Sequence, residues 1–195
     1  INGTGATYIA TGATFDINRN MQLSAGTFTA TPFNTTVSGA WTKGANATFN
    51  HSNGTVTLNG GDQTISGSTI FYNLSKTVSS AQTLTFSATE QTSVSGALTI
   101  NGAASNLLSI RSTIAGAKSK LIVDRGTGSR DVRYLDVKDN DARKGLTLVC
   151  HNCTDSGNNL NWAFHTITGT AFSDEGTTPV ANAVVSVSFN GGAGT

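Results

Sequence analysis

Charged residues are scarce in this chain. Only 12% of its 195 residues are Asp, Glu, Lys or Arg, whereas an average soluble domain has about 25%. The net charge is +1, so electrostatics favours neither nucleic acid nor an anionic membrane as a partner. No apolar run approaches the roughly 20 residues that a membrane-crossing helix needs, which predicts no membrane insertion in this segment.

A secretory signal peptide is also missing, and the first residues already read as strand and turn. The chain starts at Ile1 and stops at a glycine-rich sequence just after a strand-like run. We therefore expect an internal piece of a longer secreted protein. Low charge with abundant Thr is typical of exported bacterial surface proteins, which predicts an extracellular or cell-surface location.

Thr, Ser, Asn and Gly replace the missing charge, and these residues suit sheets and turns rather than helices. Apolar residues recur at every second position in short runs that Gly, Ser and Asn separate. This alternation gives each strand one inward face and one polar face. It predicts an all-β protein with strands that include residues 55–58, 63–65, 71–74, 83–86, 97–100 and 132–137.

Short phrases nearly repeat along the chain. Residues 5–8 (GATY) return as 12–15 (GATF), and residues 37–42 (VSGAWT) return as 94–99 (VSGALT). Degenerate self-similarity of strand-turn units indicates a solenoid. In a solenoid each coil stacks on the previous one and thereby buries the apolar surface that a single coil cannot bury.

Four phrases in succession carry a family resemblance: residues 41–49, 54–60, 63–67 and 71–74. Together they resemble the repeat of bacterial surface β-helix proteins, over roughly residues 20–164. The resemblance implies a right-handed parallel β-helix (solenoid), and it implies a scaffold rather than an activity. We assign residues 1–164 to the solenoid, with the bulky residues 160–164 as its C-terminal cap, since an open last coil leaves backbone groups unpaired.

The sequence changes in type near His165. Residues 167–172, 175–180 and 183–189 resemble the opening of a carboxypeptidase-regulatory-like or Cna-B-like β-sandwich. Only about two of the roughly seven strands of an immunoglobulin-like sandwich are present, so we assign 165–195 to an incomplete Ig-like segment. Two strands need completion by further sequence, by the solenoid or by another chain. The alternative fold is two successive β-sandwiches.

Cys150 and Cys153 flank His151 and Asn152 in a Cys-x-x-Cys motif. A redox site would start a helix, but a turn-like run follows. A zinc site needs four ligands, and His151 and His165 would have to complete it. The third reading is a local structural disulfide in an oxidising compartment, which we favour, with a modest contribution because the loop is short.

Asp136, Asp139 and Asp141 form a small oxygen-rich cluster with Asn140. Calcium favours several such oxygens. However, the spacing lacks the glycine and the final glutamate of an EF-hand loop, and neighbouring Lys and Arg residues dilute the negative charge. A solvated turn is the preferred interpretation, with the three aspartates kept as weak metal candidates, and we expect no cofactor.

Catalytic motifs are also missing. A glycosidase needs two carboxylates flanking one bond, yet Asp62 and Glu90 are the only acids between residues 54 and 100. The three histidines, His51, His151 and His165, have no evident shared strand face. The sequence therefore favours a protein that is not an enzyme.

We expect a structural extracellular protein: a rigid segment of a bacterial surface adhesin or filament. Its C-terminal segment would polymerise the chain by adding a strand to a neighbouring copy. The expected partners are other copies or flanking domains of the same polypeptide, with a glycan as a further candidate. The alternative is a glycan- or ice-binding surface built from the threonines of residues 27–29, 55–57 and 83–85. A polysaccharide-degrading enzyme is the third class.

Overall fold

A computed structural model describes residues 1–126 and 128–165. Every regular element in these residues is a β-strand, as the all-β prediction requires. The strands form four parallel sheets, in which neighbouring strands lie three places apart in the chain, except that the last described strand pairs with the strand two places before it. The chain therefore returns to the same side of the molecule once in every three strands. We call each set of three a coil, and the stacking is consistent with the expected β-helix.

Three faces run along the stack. The eight-stranded face consists of β2 (Thr14–Ile17), β5 (Asn34–Val37), β8 (Thr55–Leu58), β11 (Asn73–Thr77), β14 (Leu98–Asn101), β17 (Arg130–Arg133), β20 (Leu148–His151) and β22 (Trp162–His165). The seven-stranded face consists of β3 (Met21–Leu23), β6 (Trp41–Lys43), β9 (Gln63–Ser66), β12 (Gln82–Phe86), β15 (Leu108–Ser112), β18 (Leu135–Val137) and β21 (Thr154–Asp155).

The third face, here called the split face, is divided into two sheets. The first sheet holds β1 (Asn2–Ile9), β4 (Ala25–Thr29) and β7 (Ala47–Asn50). The second holds β10 (Thr69–Phe71), β13 (Gln91–Val94), β16 (Ser119–Val123) and β19 (Asn140–Asp141).

The core lies inside the coils and follows from the alternation seen in the sequence. In β8, Val56 and Leu58 are 2% and 1% exposed, while Thr55 and Thr57 are only half-buried and point outward. Each fully buried aliphatic side chain contributes about 1.5–3 kcal/mol. Because parallel pairing places equivalent residues above one another, as Leu74 lies between Val56 and Leu98, the apolar columns continue from coil to coil.

The ladder of the split face is interrupted between β7 and β10. The carbonyl of Asn50 accepts a hydrogen bond from the amide of Ala30 at 2.9 Å, so the backbone groups of the adjacent Phe49 point the other way, towards β10. Likewise the carbonyl of Phe71 accepts from the amide of Ser95 at 3.0 Å, so those of Ile70 point towards β7. These facing groups do not pair with each other.

Aromatic side chains brace the interruption from inside. The fully buried indole of Trp41 lies 4.7 Å from the ring of Phe49 and 5.0 Å from the ring of Phe71, both edge-on. Its Nε1 donates to the Thr69 hydroxyl at 3.2 Å. Since β7 and β10 share no backbone hydrogen bonds, these side chains supply packing where the ladder stops.

Gly67 lies in the turn between β9 and β10. Its φ is +83°, and a Cβ there would stand 1.7 Å from the carbonyl oxygen of Lys43. Both the left-handed backbone and the close approach of the coil below require glycine.

Two predicted strands prove to be two strands each. Residues 71–74 are divided at Tyr72 between β10 and β11, and residues 132–137 are divided at Tyr134 between β17 and β18. Tyr134 has a φ of +54°. In both places the chain turns from one face to the next, and the apolar residues on either side still point inward. Alternation alone therefore cannot reveal the corner.

The last described strand, β22, includes Trp162 and Phe164, whose rings stack 6.0 Å apart and pack against the core. His165, assigned from sequence to the Ig-like segment, is the last residue of β22. The rest of the predicted Ig-like segment lies outside the described residues. The alternative of two β-sandwiches requires antiparallel sheets, whereas the described sheets are parallel.

Candidate functional site

Cys150 and Cys153 form a disulfide with an S–S distance of 2.03 Å. Cys150 is the third residue of β20, and the chain turns at Asn152, whose φ is +56°. Both cysteines are buried, and the amide of Leu135 in the coil below donates to the Cys153 sulfur at 3.2 Å. The bond pins the corner that leads into the last coil. A disulfide leaves neither sulfur as the thiolate that a zinc site requires.

Asp136 and Asp139 each have partners of their own. Asp136 forms an ion pair with Arg111 of the neighbouring coil. Asp139 is buried and accepts from the Asn158 amide at 2.6 Å and from the Gly116 backbone at 3.0 Å. The hydrogen bond from Asn158, followed by that from Gly116, lowers the pKa of the Asp139 carboxyl.

Asp141 is held by Arg143, whose guanidinium nitrogen lies 2.9 Å from its carboxylate. Hydrogen bonds from Arg143 lower the pKa of Asp141. The three candidate aspartates thus serve three separate contacts. Within residues 1–126 and 128–165, no group of three or more His, Cys, Asp or Glu side chains is arranged to hold a metal ion.

The placement of the histidines differs from the sequence prediction that they share no strand face. His151 and His165 are register partners in β20 and β22, with ring centroids 6.2 Å apart, so two of the three share a face. The short coil between these strands brings them together, which alternation within one strand cannot reveal. His51 lies elsewhere and stacks on Tyr72 at 5.6 Å.

The two central acids bind backbone amides. A carboxylate oxygen of Asp62 accepts from the amide of Thr83 at 2.8 Å, and one of Glu90 accepts from the amide of Gly67 at 2.5 Å. Each acid therefore fixes a turn of one coil to the next coil.

A buried lysine is the feature that the sequence analysis missed. Lys76 of β11 is 0% exposed and points inward, with Ile100 of β14 as its register partner in the next coil. Its ammonium group donates to the carbonyls of Gly60 at 3.0 Å and Gly61 at 2.9 Å. Alternation could have found it, because Leu74 and residue 76 must share the inward side of one strand.

Gln63 of β9 completes this buried polar site. Its Oε1 accepts from Lys76 Nζ at 2.7 Å and from the Gly60 amide at 3.1 Å, while its Nε2 donates to the carbonyls of Val37 and Gly39, both at 2.8 Å. Burial lowers the pKa of Lys76 to about 8, and the negative charge of Asp62 partly opposes that shift. Every donor and acceptor of the carboxamide is satisfied.

Outward hydroxyl groups form a column on the eight-stranded face. Parallel register places Thr36, Thr57, Ser75 and Thr99 above one another. The predicted threonine array is divided, however, because residues 27–29, 55–57 and 83–85 lie on three different faces.

Comparison with protein-family models, with curated proteins and with solved structures gives no match. In the described part of the chain, no helix has the length and apolar character to cross a membrane.

Proposed function

We propose that this chain is a rigid structural segment of an extracellular bacterial surface protein, an adhesin or a filament. The observation that carries the proposal is the eight-stranded parallel face, which joins all coils from β2 to β22 without a break. Backbone hydrogen bonds between coils run along the stack in this face, so a pull along the stack loads many bonds together. The proposal assigns no catalysis to the chain.

The winding is right-handed in this proposal, because connections between parallel strands of one sheet are right-handed in nearly all proteins. The Cys150–Cys153 bond supports an oxidising, extracellular location, since disulfides persist in such compartments. Partners are other copies or flanking domains of the same polypeptide, with neither nucleic acid nor membrane insertion. Residues 166–195 provide the joint by adding a strand to a neighbouring copy.

Negative-stain electron microscopy of the purified protein tests the proposal. Filaments with a regular axial repeat are the expected result, and removal of residues 166–195 should leave short discrete rods. A matched chain with residues 183–189 scrambled preserves length and composition, and it should also fail to assemble. Assembly that persists unchanged in both variants would reject the strand-addition joint, and particles without elongation would reject the rigid segment itself.

A glycan- or ice-binding surface is the second candidate, and the hydroxyl column supports it. Four hydroxyl side chains stand in register at the strand spacing of about 4.8 Å, and Thr57 is oriented by a 2.9 Å hydrogen bond to Asn34. A glycan array and an ice-recrystallisation assay, each with the wild type and with Thr57→Val, test this function. Equal signals from the two proteins would exclude the column as the binding surface.

A further inference from the structure

Two exposed histidines lie side by side on the last two strands of the eight-stranded face. His151 is the final residue of β20 and His165 is the final residue of β22, and parallel register pairs the two directly. Cys150 and Phe164, one place earlier in each strand, pack in or against the core, so alternation turns both imidazoles outward. The ring centroids are 6.2 Å apart, with 31° between the ring planes.

This separation of the rings suits a shared metal ion. A metal ion lies about 2.0–2.1 Å from an imidazole nitrogen that binds it, so two rings on one ion have centroids no more than roughly 6 Å apart. The observed 6.2 Å between His151 and His165 is at that limit. Because both side chains are exposed, rotation between their own rotamers brings the nitrogens onto one ion without a change in the backbone.

The backbone that carries the two rings is fixed in both strands. The amide of Tyr134 donates to the His151 carbonyl at 2.9 Å, and the amide of Asn152 donates to the His165 carbonyl at 3.0 Å. The disulfide closes the turn that directly follows His151. The conformational cost of binding an ion is therefore mainly that of ordering two side chains.

The outward neighbours of the two histidines leave room for a cation. Val149 and Ala163, two places earlier in the same strands, are apolar. Arg133 is the register partner of His151 on its other side, but its guanidinium donates to the Asp131 carboxylate at 3.1 Å. The positive charge next to the pair is therefore already balanced by an acid in its own strand.

We propose that His151 and His165 together bind one divalent transition-metal ion, which links β20 to β22. Imidazole is a ligand of zinc, nickel and copper, and copper(II) binds such nitrogen sites most tightly, whereas calcium and magnesium prefer oxygen ligands. A closed structural zinc site has four protein ligands, but this pair forms an open site whose remaining positions water occupies. The inference is independent of the proposed structural role, because metal binding by the purified chain is measured whether or not filaments form.

Calorimetric titration of the purified, disulfide-bonded protein with Cu²⁺ tests the site. One ion per chain should bind, Zn²⁺ and Ni²⁺ should bind more weakly, and Ca²⁺ should not bind. Loss of a residue that only orients a metal ligand costs about 10–100-fold in metal affinity. Loss of a ligand itself, in His151→Gln or in His165→Gln, should therefore weaken Cu²⁺ binding by at least about tenfold.

His51→Gln is the matched control. The Nδ1 atom of His51 accepts from the Asn53 amide at 3.0 Å, and its ring stacks on Tyr72, so this histidine lies far along the stack from the pair. Its replacement should leave Cu²⁺ affinity unchanged. NMR spectra of the wild type give a second measurement, since substoichiometric Cu²⁺, which is paramagnetic, should broaden the imidazole signals of His151 and His165 together and spare those of His51.

Three results would overturn the proposal. The first is the absence of saturable Cu²⁺ binding by the wild type. The second is wild-type affinity in His151→Gln or His165→Gln, because the ion would then be held without the pair. The third is equal broadening of the His51 signals. Thermal unfolding without metal checks that each variant keeps the wild-type fold, and if one does not, the wild-type NMR spectra still decide the question.

Discussion

The two regions on either side of the interruption fill their interiors differently. In the region from β1 to β9, the rings of Tyr8, Phe15, Phe28 and Phe49 follow one another at 5.8 to 6.0 Å. In the region from β10 to β22, the inward column of the split face is aliphatic beyond Phe71, in Val94 and Val123. The same parallel sheets therefore enclose an aromatic column in the first region and an aliphatic column in the second.

The two regions also differ in the number of residues per coil. In the first region Thr14 pairs with Asn34 and Asn34 with Thr55, at nearly constant intervals. In the second region Leu98 pairs with Arg130 across a much longer connection. Since lengthening a loop costs only about 0.6 kcal/mol per doubling, the corners can vary while the strands keep their register. The differences in coil length are therefore concentrated in the connections between strands, where no backbone pairing is lost.

Replacement of Trp41 by Ala should have the largest effect. The side chain is fully buried where the two regions meet, and a buried Trp→Ala change costs about 3–5 kcal/mol. Urea unfolding of the variant measures the loss. Trp162→Ala is the matched control at the partly buried cap, and it should cost less. Equal losses would mean that the junction contributes no more than the cap.

Gly67→Ala should destabilise the junction by about 3 kcal/mol, because it adds a Cβ to a left-handed residue against the Lys43 carbonyl. Gly61→Ala is the control, since a Cβ there meets nothing within 4 Å. Thermal unfolding of both variants checks the difference. Similar midpoints for the two variants would show that the coils separate easily at this point.

The double variant Cys150→Ala, Cys153→Ala tests the C-terminal region alone. A disulfide that closes so short a loop contributes about 2 kcal/mol in the chain-entropy model. Amide hydrogen exchange should accelerate in β20 and β22 and remain unchanged in β4. Equal acceleration in β4 would show that the two regions unfold as one.

Asp139→Asn should produce the smallest change, about 1 kcal/mol. Hydrogen bonds lower the pKa of Asp139, so its stabilisation is present above the unfolded pKa of about 3.9 and is lost as pH falls through the lower folded value. Urea unfolding from pH 7 to pH 2 should show a steeper acid loss in the wild type than in the variant. Asp124→Asn, at an exposed position, should keep the wild-type slope.

Alternation and turn residues were sufficient to predict the strands of the middle coils, such as β8 and β12, because each has one apolar and one polar side. They were insufficient at Tyr72 and Tyr134, where a corner interrupts a run that still looks alternating. Which strands pair, and where the split face stops, depends on contacts between coils, and no single strand contains that information.

The same limit applies to the site residues: contacts within one turn could be predicted, and contacts between coils could not. The Cys150–Cys153 bond was predictable because both partners lie in one turn. The Lys76–Gln63 contact joins different coils, so it appears only once the register is known. The neighbouring aspartates 136, 139 and 141 are close in sequence but are separated by the corner at Asp139, whose φ is +59°.

The interruption of the split face also divides the cooperativity of the molecule. In a stack of coils, each coil is stabilised by itself and by its interface with the next. Between β7 and β10 that interface has two ladders, whereas the interfaces on either side of it have three, so we expect the coupling there to be weaker than in the neighbouring coils. Trp41 and Lys76 are two of the side chains whose contacts cross it. Opening at this interface should release residues 1–66 as one unit, while the coils beyond it remain folded.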